Sequence, residues 1–175
     1  MRKLTGLTLV LGVLLITGAS FASSPTPLFS HNEFSVGKGD LQTQFGLDSH
    51  ILKGDAKATI IQLRLGANYF VTDILAPGAE VWILHPDAGN YIRFQPNLKA
   101  YWPTHKRFMP YALVGLGYLH TPASDLFDFA LGPGIDYMVS DTVAIGIMFR
   151  YDLAAGDGTI HDIQFPLGFN IYFKI

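Results

Sequence analysis

The sequence has no cysteine in its 175 residues, and charged residues make up only 15% of it. The missing cysteine excludes disulfide bridges, thiol catalysis and thiolate metal ligands. The formal net charge of −2 lacks the basic excess that is typical of nucleic-acid-binding proteins, so we expect no nucleic-acid partner. Beyond the N-terminal region, no unbroken apolar run approaches the roughly 20 residues that a transmembrane helix needs.

Hydrophobic residues nevertheless account for 49% of the chain, and aromatic residues for 13%. The length is that of one ordinary domain. The 18 glycines and the many aromatic residues suit strands and tight turns better than a helical bundle.

The N-terminus has the pattern of an export signal. Arg2 and Lys3 precede an apolar stretch from Leu7 through Ile16, and Ser20-Phe21-Ala22 follows as a small-x-small cleavage site. We predict a signal peptide at residues 1–22 and a periplasmic lead-in at residues 23–38. The alternative is a retained membrane anchor, for which the apolar run is short.

From residue 39 onward, apolar residues recur at every second position in most segments, which predicts strands; the phase is ambiguous at 75–85 and 108–120. The last strand shows this most clearly, with apolar residues at Ile163, Phe165, Leu167, Phe169, Ile171, Phe173 and Ile175. Eight such segments lie between turn residues, at 39–48, 58–72, 75–85, 90–102, 108–120, 126–139, 143–153 and 161–175.

These segments predict an up-and-down antiparallel meander, because the connections are too short for crossovers. An even strand number lets the first and last strands pair and close the sheet into a barrel of residues 39–175. Prolines lack the N–H that a strand ladder needs, so we expect bulges or strand ends where they fall inside segments. They are Pro77, Pro96, Pro110, Pro133 and Pro166.

Side-chain volume indicates which face of the barrel points outward. The interior of an eight-stranded barrel is only wide enough for side chains to fill. The alternating apolar set is mostly Phe, Leu, Ile, Tyr and Trp, which is too bulky for that space. The opposite set of Gly, Ala, Asn, Gln and mixed charges fits. The fold class is therefore predicted as all-β, an eight-stranded antiparallel up-and-down transmembrane β-barrel with a polar filled lumen.

Aromatic residues gather near the strand ends, as in the girdles of membrane barrels. Tyr101 and Tyr172 among them fall on the inward phase. The alternative is a soluble barrel with ordinary strand aromatics. One predicted girdle comprises Tyr69, Tyr101, Trp102, Phe108, Tyr111, Tyr137 and Tyr172, and the other Phe45, Tyr91, Tyr118, Phe127 and Tyr151.

Several stretches resemble the small outer-membrane β-barrel proteins of Gram-negative bacteria, the OmpA/OmpX type. The segments that carry the resemblance are 66–73, Gly-Ala-Asn-Tyr-Phe-Val-Thr-Asp; 110–118, Pro-Tyr-Ala-Leu-Val-Gly-Leu-Gly-Tyr; 132–137, Gly-Pro-Gly-Ile-Asp-Tyr; and the closing strand. The resemblance implies a monomer in the outer membrane, with both termini periplasmic. The implied partners are the lipid bilayer and lipopolysaccharide, and periplasmic chaperones and the barrel assembly machinery during biogenesis. The family usually ends in an aromatic residue, whereas this chain ends in Ile175 with Phe173 two positions earlier.

The predicted lumen carries charges of both signs. Because buried charges must pair, we interpret them as a cross-linked ionic core, and a proton or ion path is the alternative. So small a barrel has no open channel. The charges are Arg64, Arg93, Lys99, Arg150 and Lys174 against Asp128, Asp136, Asp152 and Asp162.

Histidines and aspartates gather at the loops of one barrel end, where a metal site is conceivable. No HxH or HExxH spacing supports one, so no metal is assigned. The residues are His50, His85, His120 and His161, with Asp48, Asp55, Asp87, Asp125 and Asp157.

Two further function classes make different demands on the sequence. A lipid A-modifying enzyme needs Ser and His within hydrogen-bond reach, and the local candidates are His120 with Ser124 and His50 with Ser49. A surface adhesin or ligand-binding barrel needs loop surface, and the predicted loops are short. We assign no catalytic, cofactor-binding or metal residue. The sequence favours a structural or envelope role without an open channel.

Overall fold

The computed structural model describes residues 36–52, 58–85, 91–102, 107–156 and 159–175, with backbone alone at 48–52, 58–61, 84 and 85. No described segment is a helix of the length and apolarity that crossing a membrane requires. The predicted signal peptide and most of the lead-in lie outside the described residues. The described strands are β1 (Asp40–Leu52), β2 (Ala58–Tyr69), β3 (Leu75–His85), β4 (Tyr91–Tyr101), β5 (Phe108–His120), β6 (Asp125–Met138), β7 (Val143–Met148), β8 (Arg150–Ala155), β9 (Thr159–Gln164) and β10 (Leu167–Lys174).

The strands form one closed antiparallel meander. β7 and β8 are the two halves of the seventh barrel strand, and β9 and β10 are the halves of the eighth. The first and last strands pair from Asp40 with Lys174 to Gly46 with Gly168, which closes the sheet. The predicted eight-stranded barrel and its seam are confirmed.

The segment bounds differ from the prediction at the loop end of the barrel. β1 continues through Leu52 and β6 begins at Asp125, so the first hairpin and the third are longer than predicted. Hydrogen-bonded pairing extends the strands there. β1 and β2 pair as far as Leu52 with Ala58, and β5 and β6 pair from His120 with Asp125.

The prolines interrupt hydrogen bonds without shifting the register. Pro166 falls between β9 and β10 and ends a strand, as expected. Pro77 and Pro110 lie just beyond the last pairs of the β2–β3 and β4–β5 ladders, so no ladder donor is missing on those sides. Pro96 and Pro133 lie within strands. The β4–β5 ladder is interrupted beside Pro96, and the ladder of β6 with β7 and β8 is interrupted beside Pro133; both resume in the same register. The expected bulges are therefore wrong at these prolines.

Tight turns close the barrel end that also carries the C-terminus. The Thr72 hydroxyl accepts a hydrogen bond from the Leu75 amide at 3.0 Å, and the Ser140 hydroxyl accepts one from the Val143 amide at 3.2 Å. Such side chain–backbone bonds are how Ser and Thr stabilise turns. Gly39 opens β1 with a φ of 95°, a conformation that only glycine adopts without strain. The prediction that this end faces the periplasm stays a prediction.

Side chains alternate between the two faces as the sequence pattern predicts. Along β10, Leu167, Phe169 and Ile171 are exposed, while Asn170 and Tyr172 at alternate positions are buried. The exterior is thus a continuous apolar surface and the interior is mostly polar. This is the reverse of a soluble globular protein, in which large apolar side chains are the ones most often buried.

Candidate functional site: the polar lumen

The barrel interior is the candidate functional site, because it collects most of the buried charge in the described part of the chain. Glu80 is buried there and was missed by the sequence analysis. Lys174 and Asp162 were also predicted for the lumen. Lys174 is the last residue of β10 and is exposed at the rim, and Asp162 is half-buried. The buried lumen charges are Arg64, Arg93, Lys99 and Arg150 with Glu80, Asp128, Asp136 and Asp152.

Arg150 holds together the middle of this network. Its Nη1 donates to Glu80 Oε2 at 2.8 Å, and its Nε donates to Asp152 Oδ2 at 2.9 Å. Its Nη2 also donates to the Gln95 side-chain oxygen. Because Arg150, Glu80 and Asp152 are almost fully buried, each charge depends on these partners in place of water.

Arg93 extends the network toward the loop end. Its Nε lies 3.1 Å from Asp128 Oδ2, and its Nη1 lies 3.4 Å from Asp152 Oδ2. Gln95 Nε2 donates to Asp128 Oδ2 at 2.8 Å. Asp152 contacts both arginines, and Gln95 joins Arg150 to Asp128, so these groups form a single connected cluster.

Trp82 lies within this cluster. Its ring centroid is 4.4 Å from the guanidinium carbon of Arg150, 5.2 Å from that of Arg64 and 5.8 Å from that of Arg93. Its Nε1 donates to Glu80 Oε2 at 2.9 Å. The indole therefore offers a π-face to the cations and a donor to the carboxylate, as cation–π geometry favours.

A second polar cluster surrounds Asp136, nearer the turn end. Its Oδ2 accepts hydrogen bonds from the hydroxyls of Tyr172 at 2.7 Å and Tyr101 at 3.0 Å, and from Gln42 Nε2 at 3.0 Å. Its Oδ1 accepts one from Asn170 Nδ2 at 2.7 Å. Four donors from three strands, β1, β4 and β10, thus satisfy one buried carboxylate.

Aromatic rings fill the lumen at the turn end. Tyr101 packs 5.1 Å from both Phe70 and Tyr111, and Phe70 lies 6.3 Å from Tyr172. Lys99 Nζ lies 4.9 Å from the Tyr111 centroid. The placement of Tyr111 in a lipid-facing girdle is therefore wrong, because its side chain is one of those that close the lumen. The placement of Tyr91 in the other girdle is wrong too, because it packs against the buried Trp82. The inward phase of Tyr101 and Tyr172 is confirmed.

Glycines on the inward face make room for these large polar side chains. A Cβ at Gly46 would lie 3.0 Å from Arg64 Nε, and one at Gly168 would lie 2.8 Å from Arg64 Nη2. A Cβ at Gly146 would lie 2.6 Å from Asp136 Oδ1. The glycines on the inward face thus leave the space in which the charged side chains pack.

The candidate catalytic pairs do not assemble in the described residues. His120 Nδ1 lies 2.6 Å from Asp125 Oδ1, so its partner is a carboxylate. Ser124 is part of the turn, where its amide donates to the Thr121 hydroxyl at 2.9 Å. Hydrogen bonds from Tyr118 and from His120 hold the pKa of the Asp125 carboxyl, at the hairpin tip, below its usual value. The Ser49 and His50 side chains lie outside the described part.

The predicted loop histidines show no metal-binding geometry where the structure describes them. His161 Nδ1 lies 2.6 Å from the Tyr151 hydroxyl. Within the described ranges, no three His, Cys, Asp or Glu side chains are placed to hold a metal ion. The remaining members of the predicted group, His85, Asp48, Asp55, Asp87 and Asp157, have side chains outside the described residues.

Comparison with solved structures identifies the architecture. The N-terminal β-barrel domain of Pseudomonas aeruginosa OprF matches with a TM-score of 0.59 and 15% identity, over 79% of this chain and all of that domain. Neisserial surface protein A matches with a TM-score of 0.56 and 13% identity, over 80% of this chain and 99% of its own. The chain has the fold of the small outer-membrane β-barrels.

A designed transmembrane β-barrel also matches, with a TM-score of 0.54 and 14% identity, over 79% of this chain and 98% of the design. No family model matches the sequence, and no curated protein matches it. At these identities the likeness shows the fold alone. The apolar exterior agrees with this fold, which is that of membrane-spanning barrels.

Proposed function

We propose that this chain is an integral outer-membrane barrel with a structural or envelope role, and that its lumen conducts no ions. The observation that carries the proposal is the lumen network, in which Arg93 and Arg150 join Glu80, Asp128 and Asp152 across the interior. An ion that entered would have to displace the ion pairs of Arg93 and the charge-assisted hydrogen bonds of Arg150, which are strong at low dielectric.

The proposal includes the partners that such a barrel meets. The exterior would contact phospholipid and lipopolysaccharide, and chaperones and the barrel assembly machinery would deliver the chain as a monomer. We assign it no enzymatic activity, because the described candidate pair is not formed: His120 is hydrogen-bonded to Asp125 and not to Ser124. The apolar exterior, with residues such as Phe45, Phe127 and Phe169 exposed, fits a lipid environment.

A planar-bilayer recording tests the sealed lumen. The folded protein, verified by its electrophoretic shift on heating, should give no steady current in concentrated KCl, because the network leaves no continuous water path. A double variant, Arg93→Gly with Asp128→Gly, removes two bulky paired side chains and should leak. Reproducible step currents from the unsubstituted protein would refute the proposal.

A further inference from the structure

The hydrogen-bonded seam of the barrel extends over only part of its height. β1 and β10 pair as far as Gly46 with Gly168. Toward the loop end, β1 continues to Leu52 but pairs only with β2, and β9 pairs only with β8, within the described ranges. Pro166, which separates β9 from β10, has no N–H to extend the seam. We call the space between the two edges, 47–52 and 159–164, the seam cleft.

The apolar side chains that border the seam cleft are the most exposed large apolar residues of the described exterior. Phe165 is 68% exposed, Leu47 is 67% exposed and Ile163 is 60% exposed. In a complete sheet, neighbouring strands on both sides cover part of each outward side chain. The high exposure agrees with the missing ladder, because these residues lie where the β1 edge and the β9 edge have no paired neighbour.

The rim of the seam cleft lies near the loop-end boundary of the hydrocarbon. Leu47 is seven residues from Asp40 and Phe165 is nine residues from Lys174, and Asp40 and Lys174 pair at the opposite rim. A barrel strand crosses the hydrocarbon in about 9–11 residues. Unpaired backbone groups are costly in hydrocarbon, so an occupant of the cleft that supplies polar partners is favoured.

Arg64 lies inside the wall at the base of the seam cleft. A Cβ at Gly46 would lie 3.0 Å from its Nη2 and one at Gly168 would lie 2.8 Å from it, so the guanidinium lies against the last seam pair. Arg64 is only 5% exposed, and its Nε has no hydrogen-bond partner in the described part of the chain. Unlike the other two lumen arginines, it forms no ion pair with a described carboxylate, and its cation contacts the Trp82 ring. A buried cation without an anion is costly, so the site favours an anionic ligand.

We propose that the seam cleft binds a single-chain amphiphile with a carboxylate head, such as a fatty acid. The carboxylate would accept hydrogen bonds from Arg64, and the chain would lie against Leu47 and Phe165 in the hydrocarbon. The site ends at Arg64 and does not cross the lumen. Failure of this proposal would therefore leave the sealed lumen standing, and a leaking lumen would leave the site standing.

The chemistry of the base selects the head. A guanidinium presents its N–H groups in a planar fork that matches the two oxygens of a carboxylate. One unpaired cation is matched by the single charge of a carboxylate, whereas a phosphomonoester carries about −1.5 to −2. A carboxylate is also the end of its chain and can enter a cleft end-on, while the phosphate of a phospholipid lies between two substituents.

Photo-cross-linking with palmitic acid that carries a diazirine in its chain tests the site. The folded protein in phosphatidylcholine vesicles is irradiated with the probe, and the cross-links are mapped by peptide mass spectrometry. Cross-links at Leu47 and Phe165 should exceed those at Phe94 several-fold. Phe94 is the matched control, because it is an outward apolar residue, 50% exposed, on a strand that is paired on both sides of it.

The methyl ester of the same probe separates recognition of the head from contact with lipid. It has no negative charge, so it should label Leu47, Phe165 and Phe94 at similar levels. With the acid, Arg64→Gln should reduce labelling at Leu47 and Phe165 to the level at Phe94, whereas Lys174→Met at the exposed rim should leave it unchanged. Heat-dependent mobility verifies that both variants fold, and the ester comparison decides without any variant.

Three results would overturn the proposal. The first is similar labelling of Leu47, Phe165 and Phe94 by the acid. The second is a methyl ester that favours Leu47 and Phe165 as strongly as the acid does. The third is the same preference shown by a phosphatidylcholine with a diazirine in its acyl chain, which would assign the seam cleft to a phospholipid.

Discussion

Replacing Arg150 with methionine should lower the free energy of unfolding by about 3–5 kcal/mol, the cost of leaving buried carboxylates without their cation. The substitution removes the bonds to Glu80 Oε2 and Asp152 Oδ2 and the contact with the Trp82 ring. Burial prevents water from replacing them. Equilibrium unfolding by urea in lipid vesicles, followed by electrophoretic mobility, measures the effect.

Two variants give this prediction its controls. Lys174→Met removes a cation from the exposed rim and should change stability by no more than about 0.5 kcal/mol. Arg150→Met combined with Glu80→Gln and Asp152→Asn should recover part of the loss, because the unpaired charges are gone. If Arg150→Met is as mild as Lys174→Met, the network does not stabilise the lumen.

An arginine placed on the exterior at Val114 should cost about 2–4 kcal/mol, the range for a cation at the bilayer midplane on the lipid face of a barrel. Val114 lies at the centre of β5, whose ends are Phe108 and His120, and it points outward. Val114 is partly exposed, so comparison with an equally exposed valine near the barrel end isolates the cost of contact with lipid. The same unfolding measurement gives the value.

Val71→Arg is the matched control. Val71 is 42% exposed and Val114 is 43% exposed, so the two valines differ in position and not in burial. Val71 lies in the turn after β2, near the barrel end, where a cation should cost only about 0–1 kcal/mol. Equal costs at the two valines would mean that the exterior does not contact hydrocarbon.

The strands that were predicted most reliably have different residues on their two faces. In the closing strand, bulky apolar residues alternate with Gly168, Asn170 and other small or polar residues, and the structure follows that phase. The period of two and the volume of an eight-stranded interior were sufficient to orient it. The pairing of β1 with β10 then follows from strand number alone.

Sequence patterns were ambiguous where both faces carry large side chains. On β3, Trp82 points inward and Val81 outward, and their sizes do not distinguish the faces. Glu80 was missed because it shares the phase of Trp82. On β5, the inward Tyr111 belongs to the aromatic fill of the turn end, which local periodicity does not predict.

The lumen contacts themselves could not be predicted, because they join residues far apart in the chain. Asp136 is bonded to Gln42, Tyr101 and Tyr172, which come from different strands. The sequence predicted that the charges pair, since burial requires it, but which groups pair depends on barrel stagger. The break in the seventh strand at Phe149 lies beside Pro133 and Pro166 on the two neighbouring strands, and only the register of the ladders places them there.

If one face of every described strand meets lipid and the other closes a sealed lumen, spin labelling along β10 shows it most directly. The chain has no native cysteine, so single cysteines at Phe169 and Asn170 can be labelled without background. In vesicles, the label at Phe169 should be relaxed by oxygen, which concentrates in hydrocarbon, and not by a water-soluble nickel chelate. The label at Asn170 should be shielded from both. Strong relaxation by the nickel chelate at either position would contradict the account, because the exterior would then be in water or the lumen would be open.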